Sequence, residues 1–272
     1  MNQGVPYLDL KPEFQALRER WFEALEEIGA RAGFILGENV KGFQQEAADY
    51  VGSRYAVGVA NGTDALVLSL RALGIGPGDE VITSPFTFFA TAEAVSLVGA
   101  TPVFADIRED SFNLDPASVA VKVTPATRAI LPVHIFGHPA DLSALQEIAD
   151  AHGLRIIEDA AQAWGARHRN QVVGSLGATG CFSFYPAKVL GCYGDGGLIT
   201  TSDTDLHEHI LRLRNHGATA PFTHAEPGYN SRLDEVHAAL LRIKLEQIEA
   251  AIAARTQVAD WYDELLGGSD AI

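Results

Sequence analysis

Residues 55–65, Tyr55-Ala56-Val57-Gly58-Val59-Ala60-Asn61-Gly62-Thr63-Asp64-Ala65, contain the unit that the rest of the chain repeats. A short apolar run ends in a glycine-containing turn, and the turn opens a segment over 64–73 with helical spacing. The same alternation recurs as Val81-Ile82-Thr83 followed by 88–98, and as Pro102-Val103-Phe104 followed by 115–122. It continues through Ala129-Ile130-Leu131-Pro132-Val133, a helix from about Leu142 to His152, and Leu154-Arg155-Ile156-Ile157. This rhythm predicts an α/β protein with a largely parallel sheet covered by helices on both faces. The turns Gly76-Pro77-Gly78-Asp79 and His152-Gly153 punctuate it.

Outside this region, Phe14, Leu17, Trp21, Phe22, Leu25 and Ile28 recur at helical intervals and predict an amphipathic helix over 12–30. Gly196-Gly197-Leu198-Ile199-Thr200-Thr201 reads as a strand, 203–213 as a helix, and one long helix is expected from Leu233 onward to Trp261.

Composition excludes several functions. The chain has 272 residues, 47% of them hydrophobic, enough for one sizeable core. Its 35 acidic and 20 basic residues give a net charge of −15, a field that repels nucleic-acid phosphates. Met1–Tyr7 lacks the basic segment and apolar core of a secretory signal, and no run reaches membrane-spanning length, so a cytoplasmic protein with no membrane partner is expected. Two cysteines, Cys181 and Cys192, do not make a disulfide framework and are expected as small buried hydrophobes. His134 and His138 are separated by Phe136-Gly137, which breaks a helix, so no metal is assigned.

The residues that suggest chemistry lie just after expected strands, where open parallel sheets place their ligands. Phe182-Ser183-Phe184-Tyr185-Pro186-Ala187-Lys188 supplies an amine beyond an apolar strand, able to form a Schiff base with a carbonyl. Ile156-Ile157-Glu158-Asp159-Ala160-Ala161-Gln162 supplies a carboxylate at a strand end, where burial without a cationic partner would push it to take up a proton. A protonated pyridine nitrogen is such a partner, and pyridoxal 5'-phosphate requires this pair. Asn61-Gly62-Thr63-Asp64 opens a helix whose free amides and dipole can receive a phosphate; capping by Thr63 or Asp64 alone would also explain it. Gly191-Cys192-Tyr193-Gly194-Asp195-Gly196-Gly197 is expected to let a flat ligand lie close to backbone.

With Gly228-Tyr229-Asn230-Ser231-Arg232, these segments resemble the DegT/DnrJ/StrS family of sugar aminotransferases, along nearly the whole chain. The resemblance implies the fold type I architecture of enzymes dependent on pyridoxal phosphate, a three-layer sandwich around a mostly parallel mixed sheet. It implies a large domain over 1–245 and, over 246–272, the start of a helix leading to a small C-terminal domain that is mostly absent. Lys188 and Asp159 become the catalytic residues. Gly62, Thr63, Asp64 and Ser183 hold the cofactor phosphate, Phe88 stacks on the ring and Gln162 reaches its hydroxyl. Asn230 serves the partner subunit's cofactor in a homodimer, and Arg232 either receives the donor carboxylate or holds the dimer together. The implied reaction is transamination of a UDP- or dTDP-linked 3-keto sugar by L-glutamate. The alternatives are a catalytically silent cofactor-binding or regulatory protein, or a cyclitol aminotransferase. The sugar-dehydrating branch of the fold carries histidine at the lysine position, so Lys188 argues against it. A dinucleotide-binding domain is disfavoured because the first glycine turn lacks the three-glycine spacing.

Overall fold

The computed structural model describes residues 4, 6 and 8–267. Most of the stretch read for a secretory signal, and residues 268–272 of the expected C-terminal segment, lie outside the described residues. Two helices come first, α1 (Lys11–Arg31) and α2 (Glu38–Val51). The alternating core follows as β1 (Tyr55–Val59), α3 (Gly62–Ala72), β2 (Glu80–Thr83), α4 (Ala90–Leu97), β3 (Thr101–Phe104), α5 (Pro116–Ala120), β4 (Thr127–Leu131), α6 (Leu142–His152) and β5 (Arg155–Asp159). A short hairpin, β6 (Arg167–His168) with β7 (Gln171–Val172), leads to β8 (Thr179–Ser183), β9 (Gly197–Thr201) and α7 (Thr204–Leu213). A second hairpin, β10 (Ala218–Ala220) with β11 (Thr223–His224), precedes α8 (Glu235–Leu245) and α9 (Ile248–Leu266).

Seven strands form one sheet in the order β1-β9-β8-β5-β4-β2-β3. Strand β9 runs antiparallel to both neighbours and every other adjacent pair is parallel, so the sheet is mixed but mostly parallel. Except along the edge strand β3, both faces are dry, since successive side chains of each strand point to opposite sides and each side is covered. Val57, Val59, Ile157, Cys181 and Ile199 face a core closed by α3, α4 and α7. Their neighbours Phe182 and Leu198 face the core under α2 and α8, and Ile82, Ile130 and Ile156 face the core under α5 and α6. Each fully buried side chain of this kind contributes roughly 1.5–3 kcal/mol relative to exposure, which explains why the strands read as unbroken apolar runs.

The chain departs from expectation in three places. Helix α2 was unanticipated, although Val40, Phe43, Ala47, Ala48 and Val51 bury one face at helical spacing. The long helix expected from Leu233 is two helices: its backbone tightens so that Gln247 N–H meets Lys244 O, and a new ladder starts with Ala251 N–H on Gln247 O. This break lies beside the expected boundary at 245/246 and turns Ile248 and Ile252 inward, while Val258, Trp261, Tyr262 and Leu265 stay exposed. The glycines of 191–197 also have a different use, since their bare faces are filled by protein. A Cβ on Gly191 would meet Tyr185 O and Pro186 O at 2.7 Å, and one on Gly194 would meet the His237 ring at 2.7 Å. Tight backbone packing required these glycines.

Gly180, in the middle of β8, makes the same point, because a Cβ there would run into the Gly174 backbone that crosses above it. Gly180→Ala is expected to lower unfolding free energy by about 1–3 kcal/mol, the range for overpacking a filled core, measured by urea denaturation.

Candidate active site

The register of the sheet gathers the candidate residues at one edge. Val59, Gly197 and Ser183 stand abreast on β1, β9 and β8, and Asp159 on β5 is level with Cys181 on β8. Asn61 and Gly62 therefore approach Ser183 across Gly197, whose missing side chain leaves room for the Asn61 carbonyl. A Cβ on Gly62 would lie 2.7 Å from the Ser183 Cβ, so only glycine permits the contact. Asn61, rather than Thr63 or Asp64, caps the helix, its Oδ1 accepting from Asp64 N–H at 2.8 Å. That leaves the amides of Gly62 and Thr63, in the first turn, with no intrahelical carbonyl to bond, directly beside the Ser183 hydroxyl.

Asp159 is buried, 5% exposed. Its Oδ2 accepts from the Thr91 hydroxyl at 2.9 Å and its Oδ1 from Ala161 N–H at 3.2 Å. Burial pushes its carboxyl above the usual range, against the pull of these donors and of the Lys188 ammonium. Lys188 lies five residues beyond β8 in a loop closed by Cys192 N–H on Phe184 O and by its own N–H on Tyr185 O. It is half-buried, and loss of water lowers its pKa while the Asp159 charge opposes that shift.

The neighbouring acid, Glu158, points to the other face of β5 and is fully buried. It accepts from Gly174 N–H at 2.7 Å, Leu176 N–H at 2.8 Å, Gly177 N–H at 2.6 Å and the His134 ring at 3.1 Å. Ala140 N–H donates to His134 Nδ1, so Nε2 carries the proton that reaches Glu158. Burial alone would raise Glu158, but the His134 bond and the amides outweigh it and hold it below the usual range. Sequence reasoning missed this clamp, although Val133-His134 and Glu158 were both visible. It fixes the end of β5, where His134 N–H also bonds Asp159 O and Asp159 N–H bonds Pro132 O.

The remaining candidates surround this centre. Gln162 Oε1 accepts from Phe136 N–H at 2.8 Å, which orients its amide and leaves the NH2 to donate elsewhere. Phe136 sits in the left-handed region at φ 54° with its ring exposed, and Phe86 lies within 6.1 Å of it, edge to face. Phe88 is 73% exposed and so is not a core residue. Asn230 is exposed, while its neighbour Ser231 is buried and accepts from Ala60 N–H, which holds this loop against the end of β1. Arg232 donates to Asn215 Oδ1 at 3.0 Å. Near it, Arg214 is buried on Gly58 O and Gln44, and burial, with the Arg232 charge, pushes its pKa down to about 10. Cys181 and Cys192 are buried free thiols, the latter raised to about 11 by burial.

A lysine of lowered pKa, an acid buried beside it, and a helix start held open by glycine next to a serine match the donor set that pyridoxal phosphate requires: an amine, a ring-nitrogen partner and a phosphate cradle. Together with the mixed seven-stranded sheet, they define an enzyme of the fold type I class dependent on pyridoxal phosphate. The DegT/DnrJ/EryC1/StrS aminotransferase family model matches residues 15–272, and the chain belongs to that family. It is 47% identical over 269 residues to the UDP-N-acetyl-3-dehydro-alpha-D-glucosamine 3-aminotransferase of Acidithiobacillus ferrooxidans, covering 99% of this chain and 73% of the relative. It is 48% identical over 268 residues to the dTDP-3-amino-3,4,6-trideoxy-alpha-D-glucose transaminase of Streptomyces venezuelae, covering 98% and 71%. The crystal structure of S. venezuelae DesV superposes with a TM-score of 0.95 at 48% identity, over 97% of this chain and 71% of that one.

Glu158 and Asp159 respond to pH in opposite senses. Glu158, lowered on folding, adds stability above its unfolded value of 4.5 and loses it as pH falls through the folded value. Asp159, raised on folding, favours the folded state while protonated and costs stability as pH climbs from 3.8 toward its folded value. Cofactor-free Asp159→Asn protein is therefore expected to be more stable than wild type at neutral pH in denaturant titration, with the difference closing below pH 3.8.

Proposed function

We propose that the protein transfers an amino group from L-glutamate to carbon 3 of a UDP- or dTDP-linked keto sugar, with pyridoxal phosphate held at Lys188. The observation that carries this is the meeting of three parts at one sheet edge: the half-buried Lys188, the buried Asp159 and the α3 start that Gly62 opens toward Ser183. The two curated relatives, named for amino transfer at position 3 of UDP and dTDP sugars, support the substrate class.

When bound, the cofactor supplies an electron-withdrawing ring that takes up charge from the donor carbon. Lys188 would hold the aldehyde through its amine, and the lowering of its pKa by burial makes that amine easier to deprotonate and so more available as a nucleophile. Lys188 would also serve as the acid and base that moves the proton at the donor carbon and, in the second half of the reaction, at the sugar carbon. Asp159 keeps the ring nitrogen protonated, a buried acid given the cationic partner it otherwise lacks. The amides of Gly62 and Thr63 and the Ser183 hydroxyl bind the phosphate, assisted by the positive end of α3, with Asp64 completing the turn. The Gln162 NH2 meets the ring hydroxyl, and Phe88, too exposed to be core, covers the ring face. In a homodimer, Asn230 of each protomer reaches its partner's phosphate, while Arg232, which donates to Asn215 within its own chain, receives the donor carboxylate or holds the dimer together. The enzyme works in the cytoplasm, a reading supported by the naming of its relatives for small-molecule sugar amination.

Borohydride treatment of protein loaded with pyridoxal phosphate should fix the cofactor on the peptide containing Lys188, read by mass spectrometry. Lys188→Ala should retain weak cofactor binding and lose glutamate-dependent amination by at least about 10³-fold, the scale of a lost acid-base group with its covalent anchor. Wild-type protein that aminates no UDP- or dTDP-linked 3-keto sugar would refute the substrate assignment.

A further inference from the structure

Thr91 stands out among the buried polar groups. It is 1% exposed, in the first turn of α4, yet its hydroxyl bonds neither a helix carbonyl nor a capping amide, the usual options for a threonine in that position. It donates across to Asp159 Oδ2 at 2.9 Å and also meets the Thr87 hydroxyl, one turn back, at 2.8 Å. A hydroxyl has one proton to give. With that proton on the carboxylate, the second bond requires Thr87 to donate to Thr91.

We infer that Thr87 and Thr91 form a hydroxyl relay that positions Asp159 and holds it in the ionised form needed by the cofactor's ring nitrogen. The inference rests on assigning Asp159 to that nitrogen, as above. Both threonines act as positioning residues, because they reach the cofactor through Asp159. The carboxylate is held on both oxygens, Oδ1 by Ala161 N–H and Oδ2 by Thr91, so its plane is fixed before a ring arrives. Protonation at Oδ2 would reverse the relay, with Asp159 donating to Thr91 and Thr91 to Thr87, and no heavy atom would need to move. The polarity of two hydroxyls thus reports the charge of the acid. The titratable groups that face Asp159 are Lys188 from the loop after β8, His134 from the segment after β4 and the Cys181 thiol on β8, while the turn before α4 and its first turn contribute the two hydroxyls. Burial favours the neutral acid, and Thr91 is the foremost group opposing it. The segment that carries the relay also carries Phe88, so one helix start presents a ring and orients an acid.

The test measures pyridoxal phosphate affinity of cofactor-free protein across a pH series, for wild type, Thr91→Val, Thr91→Ser and Thr87→Val. Thr91→Val keeps the shape and removes the donor, and should bind about tenfold more weakly at neutral pH, about 1.4 kcal/mol. Losing a donor to the charged form raises Asp159 further, so the pH below which affinity falls should move upward in this variant. Thr91→Ser should restore the wild-type curve, and Thr87→Val should fall between the two. In nitrogen-15 NMR with ring-labelled cofactor, the ring nitrogen should lose its proton at a lower pH in Thr91→Val than in wild type. A Thr91→Val curve that superposes on wild type overturns the relay. Should that variant fail to fold, a Thr87→Val curve identical to wild type overturns it equally. Wild-type protein that binds no pyridoxal phosphate refutes instead the cofactor assignment beneath it.

Discussion

A carboxylate delivered to the end of a central strand and shut off from water must be held by donors or give up its charge. Asp159 meets this constraint with two hydrogen bonds and the field of one lysine, and remains raised above the ordinary carboxylate range. The same desolvation would strengthen the attraction of this acid to any cationic ring placed beside it. Lys188 is the complementary case, an amine made easier to deprotonate by the loss of water around it. Loss of water thus pushes both side chains toward their neutral forms, easing deprotonation of Lys188 and leaving Asp159 dependent on its donors for its charge.

The adjacent acid shows how much local geometry decides. Glu158 and Asp159 are consecutive and both buried, yet they point to opposite faces of β5 and their pKa values move in opposite directions. Glu158 collects three backbone amides and a histidine, a saturated set that ties the 174–177 loop and the end of β4 to β5. It is structural because it is satisfied. Asp159 has only two donors, one on each oxygen, and so keeps accepting capacity to spare.

Close backbone approach is the second organising feature. Gly62, Gly180, Gly191 and Gly197 each stand where a Cβ would strike another segment, and together they bring the α3 start to Ser183 and close the loop that carries Lys188. Recognition of a phosphate there would depend on this: the helix dipole alone contributes only about 0.3–1 kcal/mol, so the amides and the serine hydroxyl would have to converge on one point.

Much of the protein was legible in its chain. Apolar runs separated by helical segments determined a mostly parallel sheet, because strands buried on both faces cannot alternate. Lys188, Asp159 and the Gly62 turn could be singled out as candidates because each lies at or just beyond the end of a strand, where open sheets place ligands. The helical face of α2 was equally readable from the spacing of Val40, Phe43 and Ala47, and was overlooked. Tertiary structure alone decided the use of the glycines at 191–197, the break after α8, the Glu158 clamp and the relay from Thr87 through Thr91 to Asp159. The reason is physical: each depends on which atoms packing brings together, whether close in the chain or far apart as Thr91 and Asp159 are at a separation of 68. Periodicity reports which face of an element is dry, while the partner that a buried polar group finds across the core is set by how the elements pack.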